Sequence, residues 1–88
     1  MHTDQEDLVW AAEVKHALER AIERQIMRRA WGRIQALEVK VRDHLVVIQG
    51  RTTRYFFKQL ALQGVLDLIE SSGPLRIEMN VHVVEGLS

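Results

Sequence analysis

The feature that most constrains the fold is a pair of apolar runs in the middle of the chain, separated by two polar residues. In the range 37–41, apolar and charged residues alternate, which is the period-two pattern of a strand with one buried face. The range 45–48 is a continuous run of Leu, Val and Ile. Asp43 and His44, between the two runs, leave room only for a tight turn, so the pattern predicts a β-hairpin that Gly50 ends. The inward-facing side chains of this hairpin are Leu37, Val39, Val41, Val46 and Ile48.

A long amphipathic helix is predicted before the hairpin. Apolar residues recur at three- and four-residue spacing from Trp10 to Ala30, and no proline or glycine interrupts the pattern before Gly32. Thr3 or Asp4 is expected to cap the start of this helix, because short polar side chains accept hydrogen bonds from the first helical amides. Gly32 lies just past the last turn and is the natural stop.

A second helix and a third strand follow the hairpin. Thr52 or Thr53 is predicted to cap the helix, and the sequence Ser-Ser-Gly-Pro at 71–74 ends it. Gly64 inside this helix costs roughly 0.5–1 kcal/mol relative to Ala, so it predicts the close packing of another element. The range 76–83 then alternates strictly between apolar and polar residues, which predicts a strand with one buried face.

These elements predict an α+β fold with the order α-β-β-α-β. Because every strand has one apolar and one largely polar face, both helices are expected to pack on one face of a three-stranded sheet, as a two-layer sandwich. A chain of 88 residues is long enough for one domain with a modest core. We place this domain at 8–84, after a disordered N-terminal segment at 1–7 and before a C-terminal tail at 85–88.

The composition excludes several classes of function. Twelve basic residues balance twelve acidic ones, so the chain as a whole has no electrostatic footprint for nucleic acid, and we do not expect a nucleic-acid partner. The absence of cysteine excludes disulfides and thiolate chemistry. No apolar run is long enough for a transmembrane segment or a signal peptide. We therefore expect a cytoplasmic protein, or an envelope-associated one if the chain is cut from a longer precursor.

No catalytic or metal-binding motif occurs in the sequence. The four histidines are His2, His16, His44 and His82. None has metal-ligand spacing to another or to a carboxylate cluster, so we expect them to face solvent. Ser71 and Ser72 have no His or Asp placed beside them in the sequence that would activate a nucleophile. The prediction is a protein that is not an enzyme and that holds neither a metal nor a cofactor.

The chain resembles the BON domain family, small modules of bacterial envelope and osmotic-stress proteins. The residues that carry the resemblance are the alternating run 37–41, the run 45–50 ending in glycine, Lys58-Gln59-Leu60-Ala61 in the second helix and the alternating run 77–83. The chain departs from the family at Asp43-His44, where Asp-Gly is common, and at Met79, where Asn is frequent. The resemblance implies binding to anionic phospholipid surfaces, or protein interaction near membranes, rather than catalysis.

A basic stretch at the end of the first helix is the first candidate site. Between residues 20 and 33 there are five arginines and one acid, Glu23, with Met27 and Trp31 among them. Such a cationic, aromatic helix end can lie on an anionic membrane, with arginines at the phosphates and the indole at headgroup level. The alternative is that the arginines complement the helix dipole and pair with acids, while Trp31 packs against the hairpin. The candidate lipid-binding residues are Arg24, Arg28, Arg29, Trp31 and Arg33.

An apolar stripe on the second helix is the second candidate site. Its residues lie on nearly the opposite side of the helix from the predicted core face, and the first helix is able to cover only some of them. An apolar patch that stays exposed marks an interface, so this stripe predicts a homodimer or a protein partner. The residues of this candidate interaction surface are Tyr55, Leu62, Leu66, Ile69 and Met27.

Overall fold

The structure is a computed structural model that describes residues 4–70 and 75–84, with side chains described from Ala12 onward. Its elements are, in chain order, α1 (Asp4–Arg29), β1 (Gln35–Arg42), β2 (Leu45–Thr52), α2 (Tyr55–Ile69) and β3 (Arg76–Val83). The predicted α+β class and the order α-β-β-α-β are therefore confirmed. The cap expected from Thr3, the helix-ending segment 71–74 and the tail at 85–88 lie outside the described residues.

The three strands form one mixed sheet with β2 in the middle. β1 pairs with β2 in the antiparallel direction, and the pairing of Arg42 with Leu45 confirms the two-residue turn at Asp43-His44. Asp43 takes a φ of 52° there, which Asp tolerates better than most residues. β2 pairs with β3 in parallel, so α2 forms the crossover that a parallel pair needs.

Both helices cover the same face of the sheet, and the core lies between the two layers. The inward positions predicted for the hairpin and for β3 are all buried or half-buried. α1 contributes Ile22 and Ile26 to the core, and α2 contributes a buried row that includes Ala61 and Val65. The buried apolar residues are Ile22, Ile26, Ala30, Ile34, Val39, Val41, Val46, Ile48, Ala61, Val65, Ile69 and Val81.

α1 begins close to the predicted start at Thr3 or Asp4, and the side chains described in its first half lie outside the core. The helix starts at Asp4, so residues 4–7, which were expected to be disordered, are helical. Every side chain from residue 12 to 17 is exposed, and Val14 is 56% exposed. Among the side chains that the structure describes, the apolar row of α1 joins the core from Leu18 onward. The molecule is correspondingly elongated, with extents of 59, 22 and 18 Å.

Two predictions made from small residues in β2 and at the start of α2 are wrong. Gly50 does not end β2, which continues to Thr52. A Cβ at Gly50 would lie 2.8 Å from the Cγ2 of Ile34, so glycine serves a close approach rather than a stop. Neither Thr52 nor Thr53 caps α2. The N-cap residue is Arg54, and no side chain bonds to the free amides there.

Glu19 connects α1 to the outer edge of β1. Its Oε2 accepts a hydrogen bond of 2.7 Å from the backbone N–H of Val41, and its Oε1 lies 3.2 Å from the Nδ1 of His16. Burial raises the pKa of Glu19, but the hydrogen bond from Val41 and the contact with His16 outweigh it, and together they lower that pKa below its ordinary value. The carboxylate therefore supplies an acceptor to an edge amide of the sheet.

Candidate functional site

Two connections meet at one end of the molecule. Residues 30–34 join α1 to β1, and residues 53–54 join β2 to α2. The buried hydroxyl of Thr52 donates a hydrogen bond of 2.9 Å to the carbonyl oxygen of Arg33, which ties the first connection to the end of β2. The basic end of α1 is therefore held beside the N-terminus of α2.

Trp31 occupies this end in an unusual backbone conformation. Its φ is 54°, a left-handed value that bulky residues rarely adopt and that costs about 1–2 kcal/mol. Gly32 follows with a φ of 66°, and its N–H donates a hydrogen bond of 2.7 Å to the carbonyl oxygen of Met27, so α1 ends in a tight cap, as Gly32 predicted. The indole of Trp31 is 67% exposed and is not buried beneath the hairpin.

The ring contacts of Trp31 are with the start of α2. Its centroid lies 6.0 Å from the centroids of Phe56 and of Phe57, and those two rings are 5.6 Å apart. Phe57 packs against the core, whereas Phe56 is 51% exposed and Tyr55 is also exposed. Phe56 was not among the site residues predicted from the sequence. The signal was available, because three consecutive aromatic residues in a helix are about 100° apart and cannot all face one core.

Charge is strongly segregated, although the net charge is zero. The segments 24–37 and 51–66 contain no acidic residue, and together they hold seven of the twelve basic residues. The two connections bring these segments together, and α2 adds the positive end of its dipole with no acid in its first turn. We call the exposed part of the two segments the acid-free surface. Its basic residues are Arg24, Arg28, Arg33, Arg51, Arg54 and Lys58, whereas the seventh, Arg29, contacts α2.

The arginines of the candidate lipid-binding site have two different roles. Arg29 donates a hydrogen bond to the carboxylate of Asp67 on α2. Its side chain also lies against Gly64, where an added Cβ would be 2.9 Å from the Cγ of Arg29, so the close packing predicted at Gly64 is helix on helix. Arg24, Arg28 and Arg33 are exposed. Arg29 therefore belongs to the contact between the helices, and the other three belong to the acid-free surface.

The candidate interaction surface on α2 is smaller than predicted. Ile69 is only 5% exposed and lies in the core, so its assignment to this surface is wrong. It follows Ala61 and Val65 at four-residue spacing and continues their buried row. Tyr55 and Leu66 are exposed, Leu62 is half-buried and Met27 is exposed on α1. A shallow groove of about 410 Å³ runs between Tyr55 and Leu66.

A cavity of about 270 Å³ with both polar and apolar lining lies between the two connections. It is placed where β2 and β3 end and β1 begins, and Gln35 pairs with Arg51 at this end of the sheet. Arg33 contributes from the first connection, and the backbone N–H of Val84 donates a hydrogen bond of 2.8 Å to the carbonyl oxygen of Thr52 beside it. The lining residues are Gly32, Arg33, Gln35, Arg51, Thr52, Thr53 and Val84.

The histidines are not brought into a common site in the part of the chain that the structure describes. His44 is exposed in the hairpin turn, and His82 is exposed on the open face of the sheet. Within residues 4–70 and 75–84, no three His, Asp or Glu side chains are grouped so as to hold a metal ion. Neither described helix is apolar enough over a sufficient length to cross a bilayer.

The fold and the surface define a small α+β domain with an aromatic, basic region at one end. Comparisons with protein-family models, with curated proteins and with solved structures gave no match. The resemblance to the BON family therefore stays a prediction from the sequence.

Proposed function

We propose that this chain is a non-enzymatic binding module that docks on anionic phospholipid surfaces through its acid-free surface. One observation carries the proposal: Trp31 and Phe56 expose their rings beside arginines in two segments that contain no acid. The resemblance to the BON family implies the same class of ligand. Trp31 adds support, because strained backbone conformations persist where the surrounding structure holds a functional side chain in place.

Each part of this surface suits a different depth of the membrane interface. Exposed aromatic rings are favourable at the headgroup level, where an apolar body meets a wet boundary. Arginine side chains reach the phosphates, and each one near an anionic surface contributes about 1 kcal/mol. Arg28 and Arg54 flank the aromatic cluster in sequence and are both exposed. Arg29 is a poor choice for a test, because its replacement also removes the contact with Asp67.

The test is flotation of the purified chain with phosphatidylglycerol-containing vesicles and with pure phosphatidylcholine vesicles. We expect binding to the anionic vesicles only, weakened by salt. The double variant R28Q/R54Q should lose about 2 kcal/mol of binding free energy, roughly thirtyfold in affinity. The matched control K15Q/R20Q removes the same charge from exposed positions outside the acid-free surface and should retain most of the binding. Equal losses in the two variants would contradict the assignment of the site.

A second candidate function is self-association through the outer side of α2. Tyr55 and Leu66 are exposed along the groove, and Gln59 and Gln63 line it without charge. Two copies can therefore meet at this uncharged part of the acid-free surface with less like-charge repulsion than at its arginines. Sedimentation velocity across a hundredfold concentration range tests this candidate. A dimer that L66K dissociates would support it, and a monomer at every concentration would exclude it.

A further inference from the structure

The cavity between the two connections is lined by two arginines and has no acidic residue among its described lining. We propose that it binds a phosphomonoester group, with Arg33 and Arg51 as its charged ligands. This inference deepens the proposed function by naming the headgroup chemistry, and it rests on that function only where the phosphate is carried by a lipid. The shared chemistry is a terminal phosphate, whether it belongs to a membrane lipid or to a small soluble molecule.

The two arginines reach the cavity from separate and well-anchored positions. Arg51 belongs to β2, the central strand, and is paired through the sheet with Gln35 on one side and with His82 on the other. Arg33 lies in the first connection, where the buried hydroxyl of Thr52 holds its carbonyl oxygen. Positions fixed in this way lower the ordering cost when a ligand binds.

The remaining lining adds two further groups that can donate hydrogen bonds. Thr53 carries a hydroxyl and Gln35 carries an amide, both of which can donate hydrogen bonds to phosphate oxygens. Gly32 leaves the mouth without a side chain, and no atom would lie within 4 Å of a Cβ there. None of the described lining residues is acidic. At about 270 Å³, the cavity lies just below the range typical of sites for drug-sized ligands and suits a small group.

Charge and geometry favour a monoester over a diester. A phosphomonoester carries a charge of about −1.5 to −2 near neutral pH and presents three terminal oxygens. Two planar guanidinium groups can bind these oxygens in bidentate pairs. The single negative charge of a diester such as phosphatidylglycerol needs only one of them. The cavity should therefore discriminate phosphatidic acid from phosphatidylglycerol, whereas the acid-free surface as a whole binds both.

The soluble arm of the experiment titrates the full chain with glycerol 3-phosphate and follows the arginine Nε–H and backbone amide signals by NMR. Sodium chloride at the same ionic strength is the reference. We expect shifts at Arg51, Arg33 and Thr53, and a Kd that R51Q weakens about tenfold, which is the size expected for one charge-assisted contact. R20Q removes an equal charge from an exposed position outside both the cavity and the acid-free surface, and should change the Kd by less than about twofold. R51K keeps the charge but loses the planar guanidinium group, so its Kd should lie between those of the wild type and of R51Q.

The membrane arm compares phosphatidic acid vesicles with phosphatidylglycerol vesicles of equal surface charge. A preference of about tenfold for phosphatidic acid, lost in R33Q/R51Q, assigns the ligand to a lipid headgroup. If glycerol 3-phosphate shifts the NMR signals but the chain does not prefer phosphatidic acid vesicles, the ligand is a soluble phosphomonoester. Absence of both effects overturns the cavity proposal and leaves the proposed docking on phosphatidylglycerol untouched. If the chain binds glycerol 3-phosphate but neither kind of vesicle, the proposed membrane function is overturned and the cavity proposal stands.

Discussion

Glu19 is the residue whose charge the fold uses most directly. Its carboxylate is 13% exposed and accepts the N–H of Val41, so folding lowers its pKa. A group with a lowered pKa in the folded state stabilises the fold above its ordinary pKa, near 4.3, and this contribution is lost as the pH falls through the lower folded value. The E19Q variant keeps an acceptor for Val41 but has no proton to bind. We therefore expect E19Q to lose less stability than the wild type between pH 6 and pH 3.

Urea unfolding at pH 7 and at pH 3 checks this expectation. E19A should cost about 1–2 kcal/mol at pH 7, because the edge amide of Val41 then has no side-chain acceptor. E23Q is the matched control, because Glu23 lies four residues further along the same helix and is exposed. An E19Q variant whose stability falls with pH as steeply as that of the wild type would show that Glu19 has no special share in acid sensitivity.

The burial of individual side chains was predictable from the sequence where it follows the two-residue period of a strand. The alternation in β1 and β3 placed their inward side chains correctly, because a strand has only two faces. A helix has no such binary choice. Ile69 lies between two stripes of α2, and only its packing with the core decides which one it joins. Trp31 was noted for its chemistry, but its exposure depends on a left-handed φ that the sequence pattern does not reveal.

Among the elements, β1 contains a local strain that a single substitution can relieve. Ala36 has a φ of 54° and lies where the register of β1 against β2 shifts between Gln35 and Glu38. Glycine adopts this conformation without the clash of a Cβ, so A36G should raise the free energy of unfolding by about 1 kcal/mol. The same change at Ala17, an exposed residue in α1, should lower it by about 0.5–1 kcal/mol.

Chemical denaturation of both variants and of the wild type measures this pair of opposite effects. Because the two substitutions are chemically identical and both sites are exposed, only the backbone conformation distinguishes them. If A36G destabilised the chain as much as A17G, the register shift would not store strain. The result also bears on β1 as an edge strand, because irregularities of this kind limit pairing with another chain.

The order of the elements could be predicted from the sequence because each element has its own apolar period. The hydrogen bonds and strand pairings that connect the elements could not be predicted. Thr52 precedes a helix and therefore resembled a cap. Its hydroxyl instead bonds to the carbonyl oxygen of Arg33, nineteen residues away in the chain. Local pattern cannot report such a partner. The sequence also did not determine that β2 and β3 are parallel neighbours, because strand order depends on how the crossover helix packs.

For the whole molecule, the net charge does not show how the charges are distributed. Twelve basic and twelve acidic residues gave no global footprint for nucleic acid, whereas two segments without acids meet at one end. A net charge is a sum over the chain, whereas a binding surface depends on where the charges lie. The candidate cavity was invisible for the same reason. Arg33 and Arg51 are eighteen positions apart in the sequence. They line one cavity in the fold, where the hydroxyl of Thr52 bonds to the carbonyl oxygen of Arg33.

The elongated shape leads to a prediction about how stability is distributed along α1. Ile26 is fully buried between the helices and the sheet, so I26A should cost about 2–5 kcal/mol through lost burial and the cavity left behind. Val14 is exposed in the projecting half, so V14A should stay within about 0.5 kcal/mol of the wild type. Urea unfolding at two protein concentrations measures both. A large and concentration-dependent loss in V14A would mean that the projecting half of α1 packs against another copy of the chain, and that this half, rather than the outer side of α2, forms the self-association surface.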